Sequence, residues 1–440
     1  MTNDKKMTLT MQIMLAMGAG AAIGILLNQF SGVMWIDTYL INGLFHVIGA
    51  IFIAALKMMV VPLVFISLVV GVTSLGNLSA LGRMSVKALV LYLFTTAIAV
   101  TIALTLASIL SPGEGFELGT TAAEFQGKDA PPLSEIFINL VPSNPVQAMA
   151  QGNMLQIIIF SMLFGIAITL CGERGKHVQL LFRDLDAVVM RMVEIVMRLA
   201  PIGVFALITK TFATQGIDLI IPLMGYFLTL TAALALHALG TYPILLTTLG
   251  RLNPLTFLRK MRDPATFAFS TASSGATIPV TLRTVEAKMG VDNSVASFTV
   301  PLGATINMDG TAMMQGVATV FIANVYGVDL GITDYLMVVL TATLASVGTA
   351  AVPGVGLVML TLVLNQVGLP VEGIALILGV DRILDMMRTA CNVTGDCAVT
   401  CIIARHENAM DLDRFNDPAA GSIQQATEHL GESPRKLVGE

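Results

Sequence analysis

Ten apolar runs set the pattern of this chain, at about residues 7–29, 43–73, 88–112, 154–172, 187–210, 219–249, 264–282, 292–326, 335–367 and 373–403, with polar connections between them. Most meet or exceed the ~18 apolar residues that a membrane-crossing helix needs, so the spacing predicts an all-α membrane protein. The run at 7–29 is longer than a signal peptide's core and has no clear cleavage site, and it is read as a span. Cations fall on alternate connections. Lys5 and Lys6 precede the first run, Arg83 and Lys87 follow the second, and Arg174, Lys176 and Arg183 follow the fourth. Arg251, Arg259, Lys260 and Arg262 follow the sixth, whereas the connection after the third carries Glu114, Glu117, Glu124 and Asp129 against Lys128. By the positive-inside bias, six helices run back and forth with the N-terminus in the cytoplasm.

The alternation then breaks. The run at 264–282 has Arg262 before it and Arg283 and Lys288 after it, so both of its ends look cytoplasmic. The run at 335–367 has Asp329 and Asp334 before it and Glu372 after it, so both of its ends look external. Each has a helix-breaking centre, Ser273 to Pro279 in the first and Gly348 to Gly356 in the second. Non-helical backbone at membrane depth is tolerated only inside protein or beside a cavity. Both runs are therefore read as re-entrant hairpins, with a pair of kinked full spans as the alternative. A polar-centred spanning helix follows each hairpin. After the first comes Asn307-Met308-Asp309-Gly310-Thr311, where Gly310 is expected to loosen the helix and bare carbonyl oxygens.

After the second hairpin comes the most polar of the runs. Asp381, Asp385, Arg388, Asn392 and Asp396 fall at i, i+4, i+7, i+11 and i+15, along one face of a helix, with Thr389 beside Arg388. A charge at the bilayer centre costs roughly 2.5–3.5 kcal/mol, so three aspartates and an arginine total about ten and must face protein. The stripe is either a structural ion-pair network or a site for an ion and a charged solute. Two hairpin-plus-helix units entering from opposite faces form an inverted repeat, in which broken helices meet at the midplane and freed carbonyls hold cations.

Composition agrees with a membrane protein: 440 residues, 55% hydrophobic, 12% charged, mean hydropathy +0.81. The net charge of −5 adds nothing. Cys171, Cys391, Cys397 and Cys401 give no disulfide framework and read as small packing residues. His237 reads as a core histidine rather than a proton relay, and Arg191, Glu194 and Arg198 as a snorkelling ion-pair face. Arg382 lies off the stripe and is expected to partner Asp381 or a neighbouring acid. Residues 113–153 read as an external loop, and the tail 406–440 as cytoplasmic and partly disordered.

The Ser273-Ser274 hairpin, Asn307-Met308-Asp309-Gly310-Thr311, Val352-Pro353-Gly354-Val355-Gly356 and the stripe together resemble the dicarboxylate/amino acid:cation symporter family, which includes archaeal aspartate and animal glutamate transporters. The likeness runs from the first helix to about Arg405 and is of the bacterial type. It implies eight transmembrane helices plus two re-entrant hairpins in a homotrimeric elevator fold. One transporter unit would occupy 1–405, with a scaffold from about 7–73 and 133–215 and a mobile transport domain from about 85–112 and 217–405. It implies a multi-pass protein of the cell inner membrane, both termini cytoplasmic, that is no enzyme. Aspartate or glutamate would be taken up with co-transported sodium ions, without an organic cofactor, among membrane lipids and with no nucleic-acid partner.

By the same resemblance, Arg388 clamps the substrate's side-chain carboxylate and Asp385 takes its amino group. Thr389, Asn392, Thr311, Ser274, Val352, Gly354 and Gly356 complete the pocket. Arg388 makes chemical sense unaided, since its planar fork pairs with a carboxylate through two bonds. One sodium site is implied at Asp396, Gly303, Asn307 and Asn392. A second is implied at Thr305, Ser346, Val347 and Thr349, and a third at Asp309, Asn307, Thr95 and Thr96. Relatives carry a further arginine where this chain has Ala272 or Met386, and animal members a proton-carrying glutamate where it has Gln315. The latter departure argues against potassium-coupled proton transport of that kind.

Other classes fit less well. Asp309 and Asp396 sit in no recognised aspartyl-protease context, and the helices after Ser273 and Ser274 offer no histidine to activate a serine. A channel would need charged rings along an open path. Within the family, a proton-coupled carrier of acidic amino acids or C4-dicarboxylates is the alternative, although a C4-dicarboxylate offers Asp385 no ammonium group.

Overall fold

A computed structural model describes residues 9–30, 32–74, 80–116, 141–347, 349, 354–418 and 420. Among these residues the chain is helical throughout, and one isolated antiparallel bridge joins Val291 to Met410. The first three apolar runs become α1 (Leu9–Asn28), α2 (His46–Ser74) and α3 (Ala80–Leu110), and wide turns over Ile36–Phe45 lead into α2. The short α4 (Pro145–Gln151) precedes α5 (Met154–Leu170).

The single span expected over 187–210 is instead two helices, α6 (Lys176–Arg198) and α7 (Ala200–Gln215). Pro201 falls in the first turn of α7, where its missing N–H and fixed φ suit a helix start and oppose continuation of α6. On α6, Arg191 pairs with Glu194, and Ser67 of α2 donates to Asp186 at 2.8 Å. The run at 219–249 begins as α8 (Ile220–Leu236) and continues through α9 (Tyr242–Leu245), which is flanked by two π turns.

The helix after α10 (Pro254–Lys260) is broken as expected, but the break is narrower than Ser273 to Pro279. α11 (Arg262–Thr271) is closed by Ala272, whose φ is +50°, and α12 (Ser274–Arg283) starts two residues later, capped by Ser273 and running through Pro279. The next run divides into α13 (Asn293–Ile306) and α14 (Asp309–Tyr326), with Asn307 and Met308 non-helical. Gly310 therefore does not loosen the helix. A Cβ there would stand 2.8 Å from the Arg388 carbonyl oxygen, so glycine lets two backbones touch. α15 (Ile332–Ser346) and α16 (Val355–Gln366) flank the second break, where Gly354 has φ +84°. Val352 lies outside the described residues.

α17 (Ile374–His406) is the longest helix. Among the described residues, four stretches are long and apolar enough to cross a membrane: Met11–Asn28, Ile36–Thr73, Val86–Leu110 and Ala200–Gly250. The later runs do not meet that measure because α13 and α14 are interrupted and α17 carries the charged stripe.

The helices pack in two groups. α1 lies against α7, and α2 against α5, α6 and α7. In the other group α3, α8 and α17 surround α14; α11, α12 and α13 pack on α17, and α15 and α16 on α14. The groups meet where α7 and α1 touch α17 and where α2 touches α16 and α13. Large apolar side chains such as Met34, Ile51, Ile109 and Ile221 are exposed, while α14 and α17 are buried along most of their length.

The tail does not begin at His406 as a free polar end. Asp292 N–H donates to Ala409 at 2.9 Å, and Asp411 N–H to Gly290 at 2.7 Å. α18 (Leu412–Asn416) then buries Phe415 completely, with Lys260 Nζ donating to the carbonyls of Lys288 at 2.6 Å and Arg414 at 2.9 Å. An apolar anchor and a cation that satisfies helix-end carbonyls explain why this segment docks. Beside it Asp292 caps α13, and hydrogen bonds from the Ser294 hydroxyl and N–H hold its carboxyl below the usual range.

Candidate functional site

Two buried polar clusters sit along α17, and they differ in charge balance. In the first, Arg388 is fully buried and forms ion pairs with Asp385 at 2.9 Å and Asp381 at 3.1 Å. Arg382 reaches the other oxygen of Asp385 at 3.3 Å. Two aspartates face two arginines, so the cluster is formally neutral. Among the described residues, the Nε and Nη1 of Arg388 nevertheless have no hydrogen-bond partner, the Asp381 contact being close but misaligned. A buried guanidinium with unfilled donors is suited to a carboxylate arriving from outside. Gly356 of α16 comes close to Arg388 and Thr311, for a Cβ there would lie 3.6 Å from Arg388 Nη2 and 3.1 Å from Thr311 Cγ2. A small cavity reaches Asp381, Arg382, Asp385 and Gly354 from the side of Phe52 and Val204, on the other group of helices.

The second cluster lies further along α17. Asp396 is 1% exposed and accepts from Asn307 Nδ2 at 2.9 Å. Asn307 also donates to the Asn392 carbonyl at 3.3 Å, and its own N–H bonds the Gly303 carbonyl at 2.8 Å. Asn392 Oδ1 accepts from Gly310 N–H at 2.7 Å, which ties the break in the α13–α14 run to α17. Asp309 is fully buried at the start of α14 and accepts from Thr96 at 2.5 Å, Tyr242 at 2.8 Å and His237 Nε2 at 3.1 Å. Thr95 reaches Asn307 Oδ1 at 3.4 Å. Among the described residues, no lysine or arginine forms an ion pair with Asp309 or Asp396.

The structure thus brings together Gly303, Asn307, Asn392 and Asp396, and also Asp309, Asn307, Thr95 and Thr96. Thr311, Gly356, Asp385 and Arg388 likewise converge. Thr389 is buried but donates to its own helix at Asp385 O, 2.8 Å away, and Ser274 is buried at the start of α12. Of the set Thr305, Ser346, Val347 and Thr349, which the resemblance implies is built mainly from backbone oxygens, the hydroxyls bond locally. Thr305 is exposed and bonds Leu302 O, while Ser346 and Thr349 bond carbonyls one turn back on α15. Among the described residues, no hydrogen bond joins Thr305 to the other three.

Arg382, expected to partner Asp381 or a neighbouring acid, pairs with Asp385. Two contacts escaped the sequence reading. His237 is buried as expected of a core histidine, and its partner is the buried carboxylate of Asp309. Tyr242 had no sequence signal, since only the π turn brings it to the same carboxylate.

A family model described as the sodium:dicarboxylate symporter family matches residues 9–406. The chain is 37% identical to the proton/glutamate-aspartate symporter of Escherichia coli (strain K12), over 92% of this chain and 94% of that one. It is 34% identical to the proton/sodium-glutamate symport protein of Bacillus subtilis (strain 168), over 88% and 91% respectively. It is also 32% identical to the C4-dicarboxylate transport protein of the same organism, over 95% and 98%.

Proposed function

The chain belongs to the sodium:dicarboxylate symporter family, and from that premise we propose that it takes up aspartate or glutamate together with sodium ions. The observation that carries this reading is the pair of buried carboxylates, Asp309 and Asp396, with no fixed lysine or arginine beside them. A buried anion is costly without a countercharge, so the pocket favours a cation from solution. The oxygens of Thr95, Thr96, Asn307 and Asn392 and the backbone around Gly303 supply the hard ligands that an alkali cation prefers.

The neutral cluster is the substrate's end. An acidic amino acid brings an ammonium and a second carboxylate, and these can replace the partners that Arg388 and Asp385 now give each other. In this reading the ammonium takes Asp385 and the carboxylate takes Arg388, with Thr311, Thr389, Asn392, Ser274 and the second hairpin's tip (Val352, Gly354 and Gly356) around them. The exchange pairs the ammonium and the side-chain carboxylate, which limits the desolvation cost, and leaves the α-carboxylate to Asn392 and the hairpin tips. The packing of helices in two groups supports a scaffold at about 7–73 and 133–215 and a moving unit at about 85–112 and 217–405, working as an elevator in a homotrimer. On this reading the protein spans the cell inner membrane with both termini cytoplasmic, and its hairpins re-enter from opposite faces.

A second reading has the same carboxylates carry protons, with acidic amino acids or C4-dicarboxylates as cargo. The names of two relatives, a proton/glutamate-aspartate symporter and a C4-dicarboxylate transport protein, favour it. Uptake of labelled aspartate, glutamate and succinate into proteoliposomes, with sodium and proton gradients imposed separately, decides between them. Sodium-dependent uptake of the two amino acids is expected, and full uptake on a proton gradient without sodium would sink the first reading.

A further inference from the structure

α8 does not continue as a regular helix. At His237–Thr241 its turns widen, so that Tyr242 N–H donates to the carbonyl of His237, five residues back. On a regular α-helix residues five apart point about 140° away from each other. The widened turn draws them toward one face, and the two rings meet edge to face with centroids 4.5 Å apart. Both then reach the same atom: Tyr242 Oη donates to Asp309 Oδ2 at 2.8 Å, and His237 Nε2 lies 3.1 Å from it. Thr96 holds the other oxygen, Oδ1, at 2.5 Å.

All three side chains are fully buried. Facing a carboxylate, His237 serves as the donor through Nε2, and among the described residues its Nδ1 has no hydrogen-bond partner. Gly395 of α17 makes room for the arrangement, because a Cβ there would stand 2.4 Å from Tyr242 Oη and 2.6 Å from Asn307 Nδ2.

We propose that His237 and Tyr242, placed by this π turn, are positioning residues that set the sodium affinity of the Asp309 site. This deepens the sodium reading above and rests on it. Two donors on Oδ2 aim the carboxylate, so that Oδ1, the Thr96 and Thr95 hydroxyls and Asn307 face one small volume. They also satisfy the lone pairs that a sodium ion on Oδ1 leaves uncovered, which keeps the buried anion available to the ion. Neither residue needs to touch the ion. Wide turns of this kind are uncommon in helices and recur at functional sites, where they re-aim side chains.

The test uses purified full-length protein, with sodium chloride titrated against choline chloride and no amino acid present. Its readout is the sodium-dependent rise in melting temperature. In parallel, sodium and glutamate half-saturation are measured for uptake into proteoliposomes. Tyr242→Phe, which removes one oxygen, should raise the sodium half-saturation about five- to tenfold in both assays. Its glutamate half-saturation at saturating sodium should stay within about twofold of wild type. His237→Leu should behave alike, and His237→Gln, whose carboxamide keeps a donor, should recover most of the loss.

A merely structural role would lower the melting temperature in choline and leave the sodium titration unmoved. Wild-type or tighter sodium binding in folded Tyr242→Phe would overturn the inference, even if His237→Leu fails to fold. The wild-type arm reports on the parent reading separately. Absence of any sodium response there overturns sodium coupling itself, whereas a wild-type response that Tyr242→Phe shares unchanged overturns only the role of the π turn.

Discussion

The two halves of the α17 stripe use buried charge in opposite ways. Asp381, Arg382, Asp385 and Arg388 neutralise one another, whereas Asp396 and its neighbour Asp309 are held by hydroxyls, an amide and an imidazole with no fixed countercharge. The difference teaches which cargo each can take. A balanced cluster can exchange its internal pairs for a solute that carries both signs, at little net electrostatic cost. An unbalanced one is completed only by a cation. One helix face thus holds a charge-balanced cluster and an unbalanced one, which the proposed function assigns to the organic solute and the cation.

The largest expected effect breaks the balanced side. Arg388→Cys leaves Asp381 and Asp385 short of their shared partner, and removing one member of a buried pair costs roughly 3–5 kcal/mol. The melting temperature should fall, and competition assays should show acidic amino acids weakened at least about tenfold, roughly 1.4 kcal/mol. Serine or alanine, which bring no second carboxylate, should lose less. Undiminished aspartate and glutamate uptake would make Arg388 purely structural.

Next comes the contact that holds the two clusters in register. Gly310→Ala forces a methyl into the Arg388 backbone, and overpacking of this sort costs about 1–3 kcal/mol. Substrate and sodium responses should weaken together, which calorimetry and binding on one preparation would read. An unchanged melting temperature would show that the helices have room to separate.

Asp396→Asn tests the unbalanced side with the opposite sign. It removes a buried anion that lacks a countercharge, so sodium-free protein should gain about 1 kcal/mol, roughly 2 °C, while the stabilisation by added sodium shrinks. A loss of stability without sodium would mean that the carboxylate is already compensated. The smallest effect is the control. Lys87 and Glu407 form an ion pair with the lysine 44% exposed, and Lys87→Ala should shift stability by less than about 1 kcal/mol, with sodium and substrate half-saturation unchanged.

Much of this site was legible in the chain because periodicity on a long helix fixes which residues share a face. The i+4 and i+7 steps placed Asp385 and Arg388 with Asp381, and the structure buries them together. The breaks at 272–273 and 307–308 were legible in outline, from small and polar residues inside apolar runs. Their extents were not, because Pro279 is accommodated inside α12 and Gly310 inside α14. The hydroxyls of Thr305, Ser346 and Thr349 bond carbonyls one turn back along the chain, a local choice that the hydropathy pattern does not show. Pro201 within the run at 187–210 signalled the start of α7, but apolar periodicity on both sides masked it.

By itself, the sequence determined the membrane class, the order of apolar helices, the positions of the breaks and the one face of α17 on which the charges lie. Each of these is local: hydropathy, turn chemistry and a period of 3.6 residues need no neighbour to act. Only the tertiary structure decided which charges are paired and which are bare. Arg382 turns to Asp385, Thr96 of α3 and the π turn after α8 converge on Asp309, and α18 docks over Lys260, all across distances in sequence that no period encodes. A buried carboxylate takes its character from whatever packs against it, and packing is settled only when the helices meet.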